Sequence, residues 1–146
     1  MRTLLPLLLL LTAVPLGAAD KAADSPVTPV AVVVHADAAA GLTRERLVDL
    51  LTGRVAALPN GGRAVLVLSH GTGGEAAVLA LTSRDVARLV RGWKRLVFGS
   101  GGSLPLTAAD DRAAIELVGR TPDGLLPLQG VEVKDLPTDL RVIMVP

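Results

Sequence analysis

The stretch Ser69-His70-Gly71-Thr72-Gly73-Gly74 concentrates the residue types best suited to holding a ligand. It follows an aliphatic run, Ala64 to Leu68, that reads as a buried strand. It precedes Gly74 to Leu81, which reads as a small helix. Glycines between a strand and a helix leave backbone N–H groups unpaired at the helix N-terminus and let an anion approach them closely; the Thr72 hydroxyl adds a donor. The chemistry is recognition of a small oxyanion, with Ser69, Gly71, Thr72, Gly73 and Gly74 as the binding residues. A plain strand-to-helix turn accounts for the same residues. No Lys-Ser or Lys-Thr pair follows, so this is not a Walker loop, and its glycine spacing is not the dinucleotide fingerprint.

Catalytic constellations are weaker. Ser69 and His70 are neighbours, but adjacent side chains on an extended chain point apart, and no Gly-x-Ser-x-Gly elbow is present. His35 and Asp37 close the first aliphatic run, where polar residues usually begin a loop. Asp110 and Asp111 look like paired carboxylates, yet a place in the first turn of a helix explains both. No catalytic residue, metal ligand or cofactor is assigned, and an enzyme is not expected.

The composition of the 146 residues agrees. Half are hydrophobic, with one Phe, one Trp and no Tyr, so the core must be built from Leu, Val, Ile and Ala. A formal charge of +1 and so few aromatics argue against a nucleic-acid binder, which needs a basic footprint and stacking platforms. With no cysteine there is no disulfide, thiol nucleophile or lipoprotein anchor. Two histidines are too few for a histidine-rich metal site.

Residues 1–19 read as a cleaved secretory signal peptide: Arg2 is the positive n-region, Leu4 to Val14 the apolar h-region, and Gly17-Ala18-Ala19 the small residues before cleavage. The apolar run is about 11 residues, against roughly 20 for a transmembrane helix. Residues 20–29, rich in Ala, Asp and Pro, read as a flexible lead-in, and residues 30–146 as the domain. A periplasmic location is expected, with no membrane span after cleavage.

The domain alternates strands with helices. Val30 to His35 is a β-branched run expected to be buried on both faces. Thr43 is placed to cap a helix with Leu47, Leu50 and Leu51 on its inner face, and Gly53 to end it. Pro59-Asn60-Gly61-Gly62 is a turn. Thr82 or Ser83 is expected to cap the clearest helix, whose Val86, Leu89, Val90, Trp93 and Val97 form one stripe while Arg84, Arg88, Arg91 and Lys94 lie largely off it. Such a basic face is more often solvated than a ligand site. After a loop from Gly99 to Pro105, Thr107 is expected to cap a helix from Ala108 to Val118 that Gly119 stops. A turn over Pro122 to Gly124 precedes strands at Leu125 to Leu128, Val131 to Val133 and Leu140 to Val145. The expected fold is α/β, a single three-layer domain with a mostly parallel sheet.

The order of these pieces resembles the periplasmic phosphate-binding-like proteins, substrate-binding components of phosphate ABC importers. The matching stretches are Val32 to Ala36, Leu42 to Leu47, Leu51-Thr52-Gly53-Arg54, Gly71 to Gly74, Trp93 to Gly99 and Thr121 to Pro127. Together they span about residues 30 to 146. The resemblance implies a periplasmic-binding-protein-like lobe, a type 2 fold, phosphate or another small oxyanion as ligand, and an ABC permease as partner of a monomeric chain. Three departures bear on the ligand. Thr72 stands for the family's loop serine and keeps a hydroxyl, whereas Gly74 stands for its threonine and loses one. Glu75 stands where an arginine often follows, and as a first-turn carboxylate it is expected to compete with the anion for the same donors. The family's preceding lobe, with its own anion loop, is also expected to be absent, because nothing in Asp20 to Pro29 could replace it. Binding is therefore expected to be weak or vestigial; the alternative is a periplasmic protein-interaction module without a small-molecule ligand, whose Gly99-to-Pro105 loop or basic helix face contacts another envelope protein.

Overall fold

The computed structural model describes residues 29–35, 41–100, 102–130 and 136–146. Strand β1 is Val30–His35, followed by helix α1, Arg44–Thr52, and strand β2, Val65–Ser69. Helices α2, Thr72–Thr82, and α3, Val86–Ser100, lead to the short strand β3, Leu106–Ala108. Helix α4, Asp111–Gly119, then precedes strands β4, Gly124–Pro127, and β5, Leu140–Val145. The expected signal peptide, Asp37 and the Val131 to Val133 strand lie outside the described residues.

The five strands form one sheet in the order β3-β2-β4-β1-β5. β2 runs parallel to both β3 and β4, while β1 runs antiparallel to β4 and β5. The sheet is therefore mixed, with its parallel pairings confined to the β3-β2-β4 side. A β-branched run such as β1 encodes burial on both faces; it does not encode the direction of its neighbours.

Alternation along the strands divides the core. Val30, Val32 and Val34 of β1, Leu66 and Leu68 of β2 and Leu125 of β4 face α1, α2 and α3. Val33, Val67 and Leu126 face the other way, against Ala114 and Val118 of α4. Two apolar clusters on opposite faces make the domain three-layered, with three helices on one face and α4 on the other.

Local chemistry sets several boundaries. The Thr43 hydroxyl accepts from the Arg46 amide at 3.2 Å to open α1, and Gly53 closes it in the left-handed region at φ 78°. α3 begins differently from expectation. Asp85, not Thr82 or Ser83, is its cap, accepting from the Arg88 amide at 2.7 Å. Thr82 instead donates back to the Val78 carbonyl at 2.8 Å, and Ser83 ends α2 with φ 56°. Thr107 likewise lies in β3 and caps nothing; Asp110 opens α4 by accepting from the Ala113 amide at 2.8 Å.

Trp93 closes one margin of the core. Its ring packs against the α1 and α3 cluster and its indole N–H donates to the Leu51 carbonyl at 2.7 Å, joining the end of α1 to the middle of α3. Trp93→Ala should lower stability by about 3 kcal/mol through lost packing, and Trp93→Phe by about 1 kcal/mol through the lost hydrogen bond. Urea unfolding measures both; a Phe variant as stable as the native chain would show that the bond to Leu51 contributes nothing.

Candidate functional site

The glycine loop lies where the parallel part of the sheet divides. β2 continues into α2 on one face, and its neighbour β3 continues into α4 on the other. Adjacent parallel strands whose following helices diverge leave a crevice beyond their carboxyl ends, the usual place for ligands in open α/β sheets. Ser69 ends β2, and Asp111 is the first residue of α4 after β3, so the two meet across this crevice.

The helix N-terminus itself starts earlier than expected. α2 begins at Thr72 with Gly71 as its cap residue, and Gly71 has no side chain with which to accept from the first amides. Asp111 takes that role from a distance. Its Oδ2 accepts from the Gly73 amide at 2.8 Å and its Oδ1 from the Gly74 amide at 3.0 Å. The Ser69 hydroxyl donates to Oδ1 at 2.5 Å and accepts from the Gly71 amide at 3.0 Å. One carboxylate thus receives two backbone donors and one hydroxyl donor, the donor set expected for a small oxyanion. Charge-assisted bonds of this kind are about twice as strong as neutral ones.

Close approach accounts for the glycines. A Cβ on Gly71 would lie 2.5 Å from Asp111 Oδ1, and one on Gly73 would lie 2.5 Å from the Gln129 carbonyl oxygen. One on Gly74 would collide with Ser69. The Gly73 carbonyl also accepts from the Gln129 amide at 3.0 Å, fixing the chain after β4 against the start of α2.

Of the residues expected to bind an anion, Ser69, Gly71, Gly73 and Gly74 belong to this network. Thr72 is exposed and stands outside it. Ser69 is fully buried. Glu75 does not compete for the donors, contrary to the expectation from its first-turn position. Its Oε2 accepts from the Val86 amide at 3.1 Å, at the start of α3, and its Oε1 lies 3.5 Å from His70 Nδ1. A carboxylate at 75 therefore serves the next helix, and a cation there would remove that contact. His35 is also structural, its Nε2 donating to the Val118 carbonyl at 2.7 Å.

Asp111 is the participant whose residue type and place in the chain point only to helix capping. It stands 37 to 42 residues from its partners, so no local pattern announces the contact. No protein-family model matches the chain, and neither does any curated protein or solved structure.

Asp111→Ala should cost about 2–4 kcal/mol, because it removes charged hydrogen bonds and strands the buried Ser69 hydroxyl. Asp111→Asn, which keeps an acceptor oxygen but loses the charge, should cost less. Urea midpoints of the three chains test this order; an Ala variant with native stability would mean the carboxylate holds nothing together.

Proposed function

We propose that the chain is an exported, solute-binding-like domain related to the phosphate-binding components of ABC importers, with a vestigial oxyanion site filled by its own Asp111. The observation that carries this reading is the convergence of the Gly73 and Gly74 amides and the Ser69 hydroxyl on one carboxylate at the β2–β3 crevice. The donors suit a small oxyanion, and the resident carboxylate leaves them saturated. Free phosphate gains nothing at that position unless it displaces a group already tethered there. The periplasmic-binding-protein-like lobe and the export of the chain are parts of the same proposal, resting on the order of the sequence motifs and on the apolar stretch from Leu4 to Val14.

Calorimetry with acetate and phosphate tests the site. The native chain should show no binding at micromolar anion. Asp111→Gly, which empties the position without adding a side chain, should bind acetate or phosphate in the millimolar range and regain part of its lost melting temperature. If neither anion binds either chain, the cradle is only a helix cap. Micromolar phosphate binding by the native chain would establish a working transport site in place of a vestigial one.

A second reading, a protein-interaction module on the same domain, draws support from an exposed apolar side chain, Phe98, among the cations of α3. Export is tested separately: N-terminal sequencing of the protein from a periplasmic fraction should begin near Asp20, and an intact Met1 in the cytoplasm would contradict it.

A further inference from the structure

The outer face of α3 combines two features that ordinary solvation does not explain together. Arg88, Arg91, Lys94 and Arg95 are all exposed, and residues 86–100 contain no acidic side chain. None of these four side chains makes an ion pair or hydrogen bond among the described residues. Phe98, the chain's only phenylalanine, is 92% exposed on the same helix. At 3.6 residues per turn, Arg91, Lys94, Arg95 and Phe98 stand at i, i+3, i+4 and i+7 and share one face. The aromatic ring therefore sits within the cationic array, on the side of α3 opposite the buried Val86 and Leu89.

We infer that this face of α3 is a docking surface for an anionic lipid bilayer. Charge complementarity selects the partner: four cations on one helical face attract a diffuse layer of anionic headgroups without requiring fixed geometry. The ring selects a bilayer over a purely polar polyanion. A fully exposed Phe gains by leaving water, and the interfacial region just below headgroups accepts it while the surrounding Arg and Lys side chains remain at headgroup level. The face is a convex helix surface, suited to lying on a plane. Among the described residues no helix is long and apolar enough to cross a membrane. The inference does not depend on whether the β2–β3 crevice binds an anion, because α3's outer face contributes no atom to that network.

Co-sedimentation of the native chain with two kinds of vesicle is the test: phosphatidylcholine alone, and phosphatidylcholine mixed with phosphatidylglycerol. Binding to the anionic vesicles should be at least tenfold tighter, since each cation near such a surface contributes roughly fivefold. It should fall steeply with added salt. Arg91→Glu should weaken it by more than the loss of one cation, and Phe98→Ser should weaken it at every salt concentration while leaving circular dichroism unchanged. Equal binding to both vesicles, or none to either at low salt, would overturn the inference. So would binding to soluble polyglutamate as tight as to anionic vesicles and indifferent to Phe98→Ser, which would identify an acidic protein as the partner class.

Discussion

The arrangement depends first on the carboxylate of Asp111. α2 opens on three glycines and a threonine, all poor helix formers, and its cap residue, Gly71, has no side chain to accept from the first amides. Its first amides would otherwise be orphaned beside a buried serine. Asp111 accepts from two of them and from that serine, and because it begins α4 it does so from the opposite face of the sheet. A single side chain thereby joins both helical layers to the end of the central parallel strand. The glycines follow from the same constraint: the carboxylate, Ser69 and the Gln129 carbonyl all lie where a Cβ would stand.

The sheet order creates the place for this contact. Because β3 and β4 flank β2, the chain leaves β2 over one face and leaves β3 over the other, and two helix N-termini approach one crevice. Two positive helix ends favour a negative charge between them. In this protein the charge is covalently supplied. Any external anion would have to compete for these donors with a tethered group, whose effective concentration is high. The outer face of α3 lies apart from this competition.

Much of the scaffold was legible along the chain because its determinants are local. β1 is a continuous aliphatic run at its observed limits, and α1 is bracketed by a threonine cap and a left-handed glycine, both of which act as their residue types suggest. The elements that escaped are those decided by distant partners. β3 is three residues long, with Leu106 and Thr107 exposed, and exists because the edge of β2 is available to pair with it. Thr107 therefore pairs in a strand although its residue type suggests a cap, and Asp110 takes the capping position. The antiparallel direction of β1 depends on pairing that hydrophobicity does not encode. At the candidate site the glycine loop could be located, but not its occupant. Asp111 had a sufficient local explanation as a first-turn acid, and Glu75 had a plausible one as a competitor. Tertiary contacts gave each a different task.

The most direct test of a self-filled cradle is to follow the Gly73 and Gly74 amide resonances of the native chain while phosphate is added. If Asp111 holds these donors, both resonances should stay in place through millimolar phosphate, and both should move upfield in Asp111→Ala as their hydrogen bonds to the carboxylate are lost. A saturable shift of the two amides in the native chain, with none on replacing Asp111, would contradict the account and give those donors to an external anion.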